Sequence, residues 1–124
     1  EESQQLSLAK NQLTVLDLWF VRCPPCVKDH KEIKKDVEDG LYQDKNLSFI
    51  GISRDRDFSL WQAYVEKHQL PWTNLNVEYT EGPNLIDELS ISGFPTYLVL
   101  NDKGEILKTY NSYKQLRPFL LLQE

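Results

Sequence analysis

The chain has 124 residues, 40% of them hydrophobic and 11% aromatic, which fits one domain with its own core and excludes an intrinsically disordered chain. Fourteen Lys and Arg against 19 Asp and Glu give a net charge of -5, without the basic face that nucleic-acid binding needs. The longest apolar stretch, Leu13 to Val21, is interrupted by Asp17 and is far too short to cross a bilayer, and no N-terminal segment reads as a signal peptide. There is no methionine, which points to a processed form or to a domain of something longer.

Residues 1–12 are polar and read as a loosely ordered N-terminal segment ahead of one domain over 13–124. Leu13 to Val21 is β-branched, aromatic and nearly continuously apolar, the pattern of a central strand buried on both faces. Pro24 and Pro25 stop it and are tolerated in a helix only at its first turn. Cys26, His30, Ile33 and Val37 then follow at spacings of four, three and four, one stripe of an amphipathic helix that Gly40 closes. Its lysines alternate with Asp29, Glu32, Asp36 and Glu38, which reads as a solvated face.

Leu47 to Ser53 is a second strand, and Asp57 caps a helix with the stripe Phe58, Trp61, Val65 and His68. Trp72 to Val77 reads as a short extended piece and Pro83 to Leu89 as a short helix. Thr96 to Leu100 and Ile106 to Tyr110 form a hairpin through Asn101-Asp102-Lys103-Gly104. Ser112 and Gln115 make a capping box for a last helix that Pro118 should kink or delay. Alternating strands and helices imply parallel pairing, and the hairpin adds antiparallel pairing. The expected fold is α/β, a mixed central sheet with helices on both faces.

The two cysteines stand together as Cys23-Pro24-Pro25-Cys26. A bond across two residues closes a loop too small to restrict the unfolded chain much, so stability is a poor reason for the pair. Cys23 lies where open amides and the helix dipole favour a thiolate, the reactive form. Cys26 lies one turn in on the apolar stripe and should be the more shielded. An exposed nucleophile with a protected partner suits attack on a disulfide and resolution of the mixed intermediate. Asp17 interrupts the most apolar strand six residues earlier. If buried it must be protonated or hydrogen-bonded with a raised pKa, and the plainer alternative is a strand-end residue facing water.

Cys23, Cys26, His30 and His68 do not make a convincing zinc set, and His30 reads as a packed or hydrogen-bonded core histidine. No glycine pattern cradles a phosphate and no Ser/His/Asp set assembles, so neither metal nor cofactor is expected. Trp61, Tyr64 and Trp72 read as core and rim aromatics, and Arg54 and Arg56 as solvated loop residues.

Leu16-Asp17-Leu18-Trp19 running into Cys23-Pro24-Pro25-Cys26, followed by Gly93-Phe94-Pro95-Thr96, resembles the thioredoxin superfamily from about Leu13 to Leu122. The chain is most similar to its cell-envelope thiol–disulfide reductases, then to the tryparedoxin and nucleoredoxin branch, which share the Pro-Pro dipeptide. The resemblance implies a thioredoxin-like fold in which Cys23 attacks, Cys26 resolves and Asp17 is the buried acid serving Cys26. It makes Pro95 a cis-proline beside the dithiol and places Phe94, Trp19, Arg22 and Pro24 at the substrate face. It implies protein disulfide substrates, an upstream dithiol reductant, and a bacterial envelope or periplasmic setting with a tether outside this sequence, the cytoplasm being the alternative. Arg22 stands in place of the usual tryptophan, Lys31 in place of a frequent proline, and the strands ahead of Leu13 look reduced. Two competitors remain: a non-catalytic binding domain of a larger protein, and a thiol peroxidase, which would want Thr or Ser where Phe20 stands.

Overall fold

The computed structural model describes residues 4–5, 8–82 and 84–124. The chain runs β1 (Gln4–Gln5), β2 (Leu13–Trp19), α1 (Pro24–Glu38), α2 (Leu41–Asp44), β3 (Leu47–Ser53), α3 (Phe58–His68), β4 (Thr73–Asn76), β5 (Thr80–Glu81), α4 (Leu85–Glu88), β6 (Thr96–Leu100), β7 (Ile106–Tyr110) and α5 (Tyr113–Leu121). The main sheet has the order β4-β3-β2-β6-β7. β2 pairs in parallel with β3 and antiparallel with β6, which makes it the middle strand of a mixed sheet. Its apolar run is explained by that position, since both of its faces are covered.

Alternation along β2 sends Val15, Asp17 and Trp19 to one face and Leu16 and Leu18 to the other. On the first face Val15, Phe49, Tyr97 and Val99 meet Ile33 of α1 and Leu116 and Leu120 of α5. Beyond them Trp19, Cys23 and Cys26 meet Trp61 of α3 and Leu70. On the second face Leu16, Leu18, Ile50, Ile52 and Leu98 are covered by Ile86 of α4. Helices therefore lie on both faces, as the sequence implies, and the helices α1 and α3 stand over the strand that carries Asp17.

Several boundaries differ from expectation, each for a local reason. β2 stops at Trp19: its carbonyl still accepts from Arg54 N at 2.9 Å, but the next donor, Val21 N, goes to the Asp55 carboxylate at 2.9 Å. Phe20 and Val21 thus leave the sheet and turn toward Cys23. α2 follows Gly40, which takes a left-handed φ of 90°. Gln4–Gln5 pairs in parallel with Thr80–Glu81, and Asn11 N donates to the Asp102 carboxylate at 3.0 Å, so parts of the segment ahead of Leu13 are held. Residues 1–3, 6–7 and 83 lie outside the described residues. α5 runs through Pro118, which is exposed, where water can take the carbonyl left without a partner. His68 is exposed, so the buried stripe of α3 stops at Val65. Asp36, read as part of a solvated face, is buried against Tyr113 and Arg117.

Candidate active site

Cys23 is the N-cap of α1, with extended backbone (φ -105°, ψ 100°) and Pro24 and Pro25 in the first turn. Its Sγ accepts from Cys26 N at 3.3 Å, the position a Ser or Asp oxygen usually fills. A negative sulfur here would be held by an open amide and by the positive end of a 15-residue helix. Cys23 and Cys26 are joined by a disulfide, with Cα atoms 5.3 Å apart. Cys26 is fully buried and Cys23 is only 3% exposed. The expected contrast between an open and a shielded sulfur is thus slight in the bonded pair, whose apolar cluster with Trp19, Trp61 and Leu70 is packed by Phe20, Val21, Phe58 and Phe94.

The Phe94–Pro95 bond is cis, as expected. Pro95 is buried, and Phe94 meets Phe20 edge to face at 5.5 Å. The Arg54 guanidinium stands over both rings, 4.1 Å from Phe20 and 4.6 Å from Phe94. Arg54, read as a plain solvated loop residue, is therefore part of this rim. The pairing of a loop cation with two aromatic rings from distant segments leaves no signature in sequence. Arg22 and Pro24 are exposed and border a shallow cleft with Val27, Lys28 and Lys31. Trp19 departs from expectation: it is fully buried, 4.5 Å from the His30 ring and 5.3 Å from Tyr64, so it supports the site from below and does not face a substrate.

Asp17 is fully buried, with Oδ2 2.9 Å from His30 Nε2, while Oδ1 has no partner among the described residues. Burial raises its pKa above the usual carboxylate range, outweighing the opposing pull of His30, and Asp29 adds to the rise. Opposite Asp17 in β3 stands Gly51. A Cβ there would come within 3.0 Å of Trp72 Nε1 and 3.4 Å of Trp19 Nε1, so the bare backbone makes room for two indoles beside it. His30 is the residue whose importance the sequence concealed: its place on the buried stripe was visible, its partner Asp17 on the strand beneath α1 was not. Among the described residues no group of three or more His, Cys, Asp or Glu converges on a metal position.

The sequence profile of the thioredoxin-like family matches residues 11–106. The chain belongs to the thioredoxin-like family. This thioredoxin-like chain is 26% identical over 109 residues to the thiol-disulfide oxidoreductase ResA of Halalkalibacterium halodurans, covering 88% of the chain and 59% of that protein. It is 24% identical over 110 residues to sporulation thiol-disulfide oxidoreductase A of Bacillus subtilis, covering 87% of the chain and 65% of that relative. The chain thus spans less than two thirds of either relative. The crystal structure of StoA from Bacillus subtilis superposes with a TM-score of 0.75 at 22% identity, over 90% of this chain and 84% of that one, which establishes the shared fold.

Proposed function

We propose that this thioredoxin-like domain is a thiol–disulfide oxidoreductase that reduces disulfides in proteins. The observation that carries the reading is the Cys23–Cys26 pair at the N-cap of α1, set over a strand holding a fully buried carboxyl. The names of the two relatives support it. The reduced Cys23 thiolate attacks one sulfur of a substrate disulfide and expels the other as a thiolate. Cys26 then attacks Cys23, the mixed disulfide breaks, and the second substrate sulfur leaves with its electron pair. The Cys26 proton goes to Asp17, and the departing thiolates take protons from water. The domain ends oxidised, and an upstream dithiol returns two electrons and two protons. Pro95 and Phe94 receive the substrate backbone, with Arg22, Pro24 and Arg54 forming the rim. The setting we favour is the bacterial envelope, with a tether outside this sequence; no helix among the described residues is long and apolar enough to cross a membrane.

Reduction of insulin by dithiothreitol tests the reading directly. Wild type should accelerate precipitation of the freed chains and Cys23→Ser should not. Brief iodoacetamide treatment of the reduced protein should label Cys23 ahead of Cys26. Equal activity in Cys23→Ser, or preferred labelling of Cys26, would overturn the assignment.

A further inference from the structure

His30 lies one helical turn after Cys26 on the buried stripe of α1, where side chains four residues apart are neighbours. It is 2% exposed. Its two ring nitrogens look in different directions: Nε2 meets Asp17 Oδ2 at 2.9 Å and Nδ1 meets the Tyr64 hydroxyl at 3.4 Å. Tyr64 is half-buried, and with Val27, Lys31, Lys34, His68 and His30 itself it lines a surface cavity of about 140 Å³ between α1 and α3. A chain of polar groups therefore runs from the buried acid through His30 and Tyr64 to a cavity open to water.

We infer that His30 shares the proton of Asp17 and is the route by which the Cys26 proton leaves the buried site, through Tyr64 to the cavity between α1 and α3. The inference rests on the redox reading above. The Asp17–His30 pair, with Oδ2 and Nε2 2.9 Å apart in the disulfide-bonded structure, starts with one proton between those two atoms and a second on Nδ1. When Cys26 attacks Cys23, the Cys23–substrate bond breaks, the Cys23–Cys26 bond forms and the substrate sulfur leaves as a thiolate. The Cys26 proton joins the pair, which becomes a neutral carboxyl beside an imidazolium. The imidazolium loses the Nδ1 proton by way of the Tyr64 hydroxyl to water in the cavity, and the thiolate is protonated by solvent, so protons and electrons balance. A fully buried carboxyl alone would have to return its proton past the dithiol it has just served. Imidazole, with two nitrogens on separate edges, supplies a second exit.

The groups within electrostatic reach of the pair are Asp29 on α1, Tyr42 on α2, Tyr64 and His68 on α3 and Tyr97 on β6, with Lys31 and Lys34 at the cavity. Tyr97 donates to Asp29, which holds its proton in place. Burial pushes Tyr64 up to about 12, so near neutrality it is a hydroxyl able to relay and not a phenolate able to trap a proton.

The test is stopped-flow reduction of a disulfide peptide by the reduced full chain from pH 5.5 to 9, comparing wild type, His30→Gln and Tyr64→Phe. Gln keeps a hydrogen bond for Asp17 and removes the second ring nitrogen that the relay needs. His30→Gln should resolve the mixed disulfide about tenfold slower near pH 6.5, within the range an acid–base group commands after partial substitution by water. The deficit should close toward pH 9, where hydroxide is abundant enough to take the Cys26 proton directly. Tyr64→Phe should show a smaller loss with the same pH shape. Separately, the double variant Asp17→Asn/His30→Gln should be no slower than Asp17→Asn at any pH, because the histidine acts only through the acid. A rate for His30→Gln that equals wild type, or falls by one factor at every pH, makes His30 a packing residue. If His30→Gln does not fold, a Tyr64→Phe rate equal to wild type at every pH overturns the inference by itself. Wild-type protein that leaves the peptide oxidised overturns the redox reading and this inference together.

Discussion

At the residue scale two carboxylates in one protein carry opposite pH signatures, and Asp17 is the first. Its native pKa lies above its unfolded value of about 3.9. Below that value it is protonated in both states and its titration costs nothing. As pH climbs above it, the unfolded chain sheds the proton while the native state keeps it, and stability falls until the native pKa is passed. Asp17→Asn should therefore match or exceed wild type in stability, with the gap widening from pH 4 toward neutrality. Its turnover should be slower, by less than the 10²–10⁴-fold typical of a general base, because water replaces it in part. Urea melts from pH 4 to 8 beside insulin turnover check both halves; a variant less stable throughout and equally fast would make Asp17 purely structural. Asp17 was legible in the sequence because it broke an apolar run, and His30 because it sat on an apolar stripe. Their contact depends on how α1 is rotated over β2, and no periodicity encodes that. Trp19 misled for the same reason: nothing in its neighbours says that β3 carries a glycine where its indole needs room.

The second carboxylate belongs to the packing of elements. Asp36 on α1 accepts from the Tyr113 hydroxyl at 2.6 Å and from Arg117 at 2.8 and 3.2 Å, both on α5. Burial alone would raise its pKa, but the Arg117 guanidinium and the Tyr113 hydroxyl together outweigh it and hold the carboxyl below its usual range. Here the sign reverses. The contribution is complete above the unfolded value of about 3.9 and is lost as pH falls through the lower native one. Asp36→Asn should destabilise the protein by roughly 1–3 kcal/mol at pH 7, the range for a hydrogen bond to a charged group. The difference should fade below pH 4, as thermal melts at pH 3, 5 and 7 would show; a loss unchanged at pH 3 would mean that packing, not charge, is what matters. Long elements were legible throughout: β2, β3, β6 and β7 from apolar patterning, α1 from its prolines, α3 and α5 from their caps at Asp57 and Ser112. The pairing of β1 with β5 was not, since two residues carry no period, and α2 has barely one turn.

Across the whole molecule charge is unevenly placed. The net charge is -5, yet the rim around the dithiol carries Arg22, Lys28, Lys31 and Arg54. Asp55 beside them is engaged by Val21 N and the Ser53 hydroxyl, which leaves the basic groups to meet an approaching partner. Arg22→Glu should slow reaction with an acidic disulfide peptide and speed it with a basic one, each on the order of severalfold at low ionic strength. At 0.5 M salt the two effects should collapse, because screening then acts within about 5 Å. Stopped-flow rates at both ionic strengths decide it, and a salt-independent loss would point to contact and not steering.

The ties between α1 and α5 also bear on how the protein is born. Asp29 of α1 accepts from Tyr113 N at 3.0 Å and from the Tyr97 hydroxyl at 2.9 Å, and Tyr42 meets the Tyr113 hydroxyl at 3.1 Å. The helix that begins at the reactive sulfur is thus clasped by segments synthesised some seventy to ninety residues later. On a ribosome Cys23 and Cys26 emerge early, on a helix that has neither its partner β6 nor its clasp α5. Until α5 clears the exit tunnel the dithiol is open to any oxidant it meets, and only the finished chain can govern its chemistry.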